Sequence, residues 1–292
     1  SGVTAAANAA SDAASSSKTP QAATASPGVK FSVPPSGDLQ YDTFYNGVRN
    51  QPGTIHWTSD GQTYEMVVSV PLPFVGTFSY SSHGRVDAFG IAPDQYIEKR
   101  GHRAEDVTIF NRTTKQIAFT RTPATLALPD GAQDRFSMVM QLASLVRGDP
   151  AAYKPGVTRE FYVADNDSGE TWPIETIGDE SIGVAGGFVN ARHFMRLPRH
   201  EGDRRRIDVW LAPSLGWLPV RIMQTEPNGT QVELVWRGKL AAHDSDSDAI
   251  QARDSNSNSG ESDNTSEPPS ASPQPEPSLQ PQLQPDGAPE KP

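Results

Sequence analysis

Between about residues 38 and 240, apolar and polar side chains alternate with a period of two, which sends neighbours to opposite faces of a β-strand. Leu39, Tyr41, Thr43 and Tyr45 alternate with Gln40, Asp42 and Asn46. Ile55 and Trp57 stand between Thr54, His56 and Thr58, and Tyr64, Met66, Val68 and Val70 between Thr63, Glu65 and Ser69. Asp60-Gly61 separates these last two runs. A tight hairpin turn needs positive φ, which glycine accepts without steric cost, so the two runs are expected to pair. The period recurs at Phe78 and Tyr80, Tyr96 and Glu98, Val107 and Ile109, Ile117 and Phe119, and Phe161 and Val163. It returns at 172–177, 189–195, 207–211, Val220 with Ile222, and 232–236, with turn residues at 111–114, 165–169 and 227–229. This gives about 11–13 strands. Phe44, Phe110, Tyr162, Trp210 and Val235 add apolar groups on the second face, so part of the sheet needs cover on both sides. The predicted class is mainly β, a strongly curved antiparallel sheet or open barrel.

One segment breaks the period. Residues 134–147 lack Gly and Pro, carry Asp134 where it would cap a first turn, and end before Gly148. Ser137, Gln141, Ser144 and Arg147 form one narrow polar stripe, and Phe136, Met138, Val139, Met140, Leu142, Leu145 and Val146 cover the rest. A helix apolar over most of its circumference must be surrounded, and the concave face of the curved sheet is the expected host.

Composition divides the chain. Residues 1–30 are mostly Ala, Ser, Thr and small polar types, and 241–292 contain only Ile250, Leu279 and Leu283 as large aliphatic residues. Neither end has enough to bury, so both read as disordered, flanking one domain over 31–240. The net charge of −10 is placed unevenly: the tail carries ten acids and two bases, 31–240 carry 24 acids and 21 bases, and 1–30 one acid and two bases. The folded part is therefore nearly neutral, and with only Arg204, Arg205 and Arg206 clustered it lacks the basic stripe of a nucleic-acid binder. No run of about 18 apolar residues offers a transmembrane helix. A start at Ser1 followed by an Ala-rich stretch is the pattern left by removal of a secretory signal or anchor.

Catalytic chemistry finds little support. Zero Cys excludes disulfides, thiolate metal sites and a cysteine nucleophile. None of the six His has metal-ligand spacing: His193 and His200 are seven apart, and His200-Glu201 lacks the second His of a helical zinc motif. Ser214 lacks the preceding Gly of a nucleophile elbow. Ser17-Lys18 lies in the region read as disordered, and Gly183-Val-Ala-Gly186-Gly187 reads as a strand bend rather than a phosphate loop. Glu105-Asp106, Asp165 with Asp167, and Asp179-Glu180 are the acid pairs, all at turns or strand ends where solvated carboxylates are the ordinary reading. No cofactor is expected. The apolar loop at 71–75 is expected to fold Leu72 and Phe74 back over the mouth of the sheet, with a membrane, ligand or partner contact as the alternative. Met66, Met138, Met140 and Met195 are expected to fill an irregular core, although thioethers also suit apolar ligands.

Three stretches carry a family resemblance: Gly84-Arg85-Val86 through Pro93, the run 128–137 from Leu128-Pro-Asp-Gly to Arg135-Phe-Ser137, and Val209-Trp-Leu-Ala-Pro213 with Trp217-Leu-Pro-Val-Arg221. Over about 40–240 the chain resembles the DUF3108 family of exported bacterial proteins of unknown function. The resemblance implies a periplasmic location, a curved antiparallel sheet, and kinship in shape with half-barrel lipoprotein carriers. It brings no catalytic residues.

The expected function is a non-enzymatic periplasmic binding or envelope-associated module holding an apolar or acyl-chain ligand, a lipid or other amphiphile, between sheet and helix. Candidate lining residues are Tyr64, Met66, Leu72, Phe74, Phe78, Phe136, Met138 and Met140. The alternatives are a scaffolding protein whose tails engage envelope partners and, behind it, a hydrolase using Asp165 and Asp167.

Overall fold

The structure, a computed structural model, describes residues 30–241. The expectations for 1–29 and 242–292, the two tails included, fall outside the described residues. The first half of the chain is a meander: β1 (Gly37–Tyr45), the short β2 (Val48–Arg49), β3 (Gly53–Ser59), β4 (Thr63–Leu72), β5 (Gly76–Asp87), β6 (Gly90–Arg100), β7 (Asp106–Asn111), β8 (Gln116–Phe119) and β9 (Thr125–Ala127). Next come β10 (Gln133–Asp134) and the helix α1 (Ser137–Gly148). The second meander is β11 (Thr158–Ala164), β12 (Gly169–Val184), β13 (Gly187–Arg196), β14 (Arg206–Ala212), β15 (Leu218–Thr225) and β16 (Gln231–Ala241).

The sixteen strands form one sheet in the order β10-β11-β12-β13-β14-β15-β16-β1-β3-β4-β5-β6-β7-β8-β9, with β2 paired to β1. The meanders join where β1 meets β16 antiparallel, Tyr41 opposite Trp236 and Thr43 opposite Leu234. Only β10 and β11 run parallel. The sheet is mainly antiparallel and curved as expected, but it is not closed into a barrel, because β9 and β10 stand at its two margins. The count exceeds the predicted 11–13 because β2, β9 and β10 span two or three residues, too few to display a period. Residues 183–187 hold the turn of the β12–β13 hairpin, with Gly186 and Gly187 at positive φ, rather than a bend within a strand.

Alternation places the core. Leu39, Tyr41, Ile55, Trp57, Met66, Val68 and Ile91 point inward and are almost wholly buried. They enclose α1, of whose twelve residues ten are buried, including the polar Ser137, Gln141 and Ser144. The polar stripe is satisfied locally: Ser144 Oγ donates to the Met140 carbonyl at 2.7 Å, and Gln141 accepts from the Ile91 amide at 2.8 Å and donates to the Phe89 carbonyl at 2.7 Å. Gly90 permits that close approach, since at its φ of +101° a Cβ would lie 2.3 Å from Gln141 Oε1. The helix begins at Ser137 rather than Asp134, yet Asp134 holds its entry as expected, accepting the amides of Phe136 at 3.0 Å and Ser137 at 2.8 Å. Ser137 Oγ accepts the Asp134 amide in return at 2.9 Å, a reciprocal capping arrangement.

A second, smaller core of Tyr96, Phe110, Ile117, Phe119, Leu128, Tyr162 and Ala164 packs side chains of β7 and β8 against β11. The margins of the sheet thus meet through side chains instead of backbone rungs. Elsewhere the second face is covered by charged groups: Arg221 lies over Trp210 at 4.3 Å, and Trp210 stacks on His193 at 4.2 Å.

Candidate functional site

The tips of β1–β2, β4–β5 and β15–β16 surround a cavity of about 800 Å³ between the inner face of the sheet and the residues entering α1. Its walls are apolar because the inward positions of four strands supply Val68, Val70, Leu72, Phe78, Ile222, Val232 and Leu234, with Phe136 at the helix entry. Tyr80 lies against Phe136 with ring centroids 4.8 Å apart. Beside it is a polar cleft of about 310 Å³ bordered by Arg121, Asp165, Asn166, Asp167, Trp172 and Arg205. Arg100, Arg135, Gln224 and Glu226 line both spaces and form the partition between them.

Hydrogen bonds link the partition, although Arg100 Nε is buried without a partner. Arg135 donates to Gln224 at 2.7 Å and to Glu98 at 3.2 Å, Gln224 passes a bond to Glu226 at 2.5 Å, and Arg205 faces Glu226 at 3.7 Å. Glu98, whose side chain is fully buried, also accepts from Arg100 at 3.2 Å, from Asn166 at 3.2 Å and from the Tyr96 hydroxyl at 2.7 Å. Burial first, and the Glu98 charge second, hold the Tyr96 phenol well above its ordinary pKa, which keeps it a donor. Glu98 thus answers both guanidinium groups directly, and Glu226 adds a second carboxylate to the partition through Gln224.

The eight predicted lining residues divide evenly. Leu72, Phe74, Phe78 and Phe136 border the cavity. Tyr64, Met66, Met138 and Met140 are buried in the main core; Tyr64 stacks on Trp57 at 5.6 Å and shares a hydrogen bond with Ser82 at 2.8 Å. Leu72 packs against the core, but Phe74 does not fold back over the mouth: it is fully exposed at the tip of the β4–β5 turn. It stands at the apex with a left-handed φ of +66°. Sequence reasoning missed Arg100, Arg135, Gln224 and Glu226. The signal for the knot was parity: Tyr96, Glu98 and Arg100 share the inward face of β6, and a charged pair facing a core requires partners.

Among the acid pairs, Asp106 faces Arg121 at 3.9 Å and Asp179 faces Arg192 at 2.9 Å. Glu180 accepts from the Trp210 indole and lies 3.1 Å from His193 Nδ1, while Asp208 meets the other ring nitrogen at 2.6 Å and Arg206 at 2.8 Å. Burial raises Asp208, but the hydrogen bonds from His193 and Arg206 outweigh it and hold the carboxyl below its usual range. Asp165 and Asp167 border the polar cleft. Among the described residues no group of three or more His, Asp or Glu is placed to hold a metal ion, and no helix is long and apolar enough to cross a membrane.

Asp134, next to the partition, has its pKa raised from 3.8 to about 6: burial drives it up, against the amides of Ser137 and Phe136 and the Ser82 hydroxyl, which pull it down. A folded pKa above the unfolded one means the fold holds this proton more tightly. The resulting stabilisation is complete in acid and is lost as pH rises through about 6. Asp134→Asn mimics the protonated acid, so its stability relative to the parent should rise by about 2 kcal/mol between about pH 4 and about pH 7, at ~1.36 kcal/mol per unit. Urea unfolding of both proteins at the two pH values measures this; parallel pH profiles would contradict it.

The model of the DUF3108 family, described as a protein of unknown function, matches residues 40–235. Among solved structures, the chain is similar to a beta-barrel-like protein of domain of unknown function DUF1849 from Brucella abortus, at 10% identity and a TM-score of 0.43, covering 70% of this chain and 97% of that one. It is also similar to a putative outer membrane lipoprotein-sorting protein domain from Vibrio parahaemolyticus, at 8% identity and a TM-score of 0.19, covering 75% of this chain and 91% of that one. No curated protein matches the sequence.

Proposed function

The chain belongs to the DUF3108 family, and we propose that it is a binding module of the cell envelope, not an enzyme, whose curved sheet holds an apolar or acyl-chain ligand. The observation that carries this reading is the cavity itself. Its volume of about 800 Å³ falls within the ~300–1,000 Å³ range of small-molecule sites. A wall of valine, leucine, isoleucine and phenylalanine beside a few convergent polar groups suits an amphiphile: methylenes lie along Val68, Val70, Ile222 and Leu234, and a polar end reaches Arg100, Arg135 and Gln224. A periplasmic setting is part of the same proposal, since a carrier of water-insoluble chains works between membranes.

Calorimetric titration of the full chain with oleate tests the reading, alongside native mass spectrometry of the gently purified protein. The parent chain is expected to bind. Val70→Trp, which places an indole in the cavity, is expected to weaken binding by about tenfold or more, since each buried methylene displaced forfeits ~0.8 kcal/mol. Leu72→Glu, at a partly buried position of the wall, should do the same by placing a charge among the apolar lining. Absence of oleate binding to the parent, or equal binding by Val70→Trp, removes the proposal.

A further inference from the structure

We infer that the rim of this cavity docks on an anionic lipid surface, with the β4–β5 turn as the inserted tip. Three independent features meet there. Phe74 is fully exposed, Val75 is 51% exposed, and Val48, on the hairpin across the mouth, is 67% exposed; all three border the same cavity. Large apolar side chains concentrated around one opening mark an interaction surface in a way that scattered ones do not.

Phe74 is also held at φ +66°, a left-handed conformation that a bulky L-residue adopts at a cost. A glycine or asparagine would take that position without strain. The turn keeps a phenylalanine there and presents it to solvent, where it packs against nothing, so the strain is not offset by the fold.

Basic charge adjoins the tip. The β6–β7 turn lies directly against it: the Gly101 amide donates to the Thr77 carbonyl at 3.1 Å, and a Cβ on Gly101 would lie 2.2 Å from the Val75 carbonyl oxygen. That turn carries Lys99, Arg100, His102 and Arg103, with Glu105 as its acid, and Lys99, His102 and Arg103 are exposed. Glu98 already answers Arg100, leaving Lys99 and Arg103 to face outward. An apolar apex flanked by lysine and arginine complements a bilayer whose headgroups are negative and whose interior is hydrocarbon. The alternative occupant, a second copy of this chain, would meet like charge against like charge.

Docking requires no ligand in the cavity, so it stands or falls separately from carriage. Flotation of the full chain with vesicles of phosphatidylcholine alone, and of phosphatidylcholine mixed with phosphatidylglycerol, reads it directly. Binding is expected to the mixed vesicles, to weaken with added salt, and to drop about fivefold for each of Lys99→Gln and Arg103→Gln. Phe74→Asn is the decisive variant, because asparagine tolerates the left-handed position. Its thermal midpoint should stay level or rise while vesicle binding falls about tenfold or more, the partitioning of one phenyl ring. Val70→Trp, with its cavity filled, should float as the parent does. Equal binding to both vesicle types, no binding to either, undiminished binding by Phe74→Asn, or self-association that Phe74→Asn abolishes would each overturn the inference. Failure of oleate binding with vesicle docking intact would instead remove the carrier reading alone.

Discussion

Glu98→Ala is expected to lower the free energy of unfolding by about 3–5 kcal/mol, the cost of stripping a buried ion pair of one partner. Glu98 is a fully buried carboxylate that satisfies four donors: the guanidinium groups of Arg100 and Arg135, the Asn166 amide and the Tyr96 hydroxyl. Arg100 is 37% exposed at its side chain and can turn toward water when the carboxylate is gone. Arg135 is only 10% exposed and is held by Gln224 and by the rings of Tyr80 and Phe136, so its charge stays buried with no carboxylate in contact, Asp165 acting on it from beyond ion-pair distance. The double variant Glu98→Leu with Arg135→Leu removes both charges and should recover most of the loss, because exchanging a whole buried pair for apolar groups is often neutral. Urea midpoints of the three proteins decide the matter. A single variant within about 1 kcal/mol of the parent would mean that solvent reaches Arg135 after all.

Trp57→Ala should cost a comparable amount, about 3–5 kcal/mol, by opening a cavity in the main core. Trp57 is wholly buried on β3, stacks on Tyr64, and donates its indole N–H to the Pro34 carbonyl at 3.1 Å. That bond is one of the ties on residues 30–36, which the Ser32 amide and the Arg147 guanidinium also fasten to α1. Trp57→Phe keeps an aromatic ring but not the donor, so it should lose less, about 1–3 kcal/mol for the unpaired carbonyl and the smaller ring. Chemical denaturation of the pair, with hydrogen exchange of the Ser32 and Val33 amides, checks both parts. Equal losses for Ala and Phe would assign the whole effect to the hydrogen bond.

Much of this architecture was legible from residue order, and the reasons are local. Alternation at 39–45, 55–57 and 64–70 places the correct side chains inward because a half-buried strand admits no other register without exposing Trp57 and Met66. The helix was legible because a segment apolar nearly all round has one place to go. Which apolar residues face empty space was not legible. Met66 and Phe78 have the same parity on neighbouring strands, yet one is packed on all sides and the other borders the cavity. That difference depends on how the tips of strands distant in sequence diverge around Phe136, information that no single strand carries. The Glu98 knot has the same character: Glu98, Arg135, Asn166 and Gln224 come from four separate segments, and only the assembled sheet shows that they satisfy one another.

The margins of the sheet have a mechanical consequence. A fully hydrogen-bonded hoop has a fixed girth, since widening it means breaking a ladder of rungs together. Here β9 and β10 are not rungs of one ladder, and Phe110, Ile117 and Tyr162 meet across the gap by van der Waals contact. The girth of this wall is therefore set by side chains: packing across the gap, with the Thr108 hydroxyl on the Asp165 carbonyl at 3.0 Å and Asn166 on Glu98 at 3.2 Å as its ties.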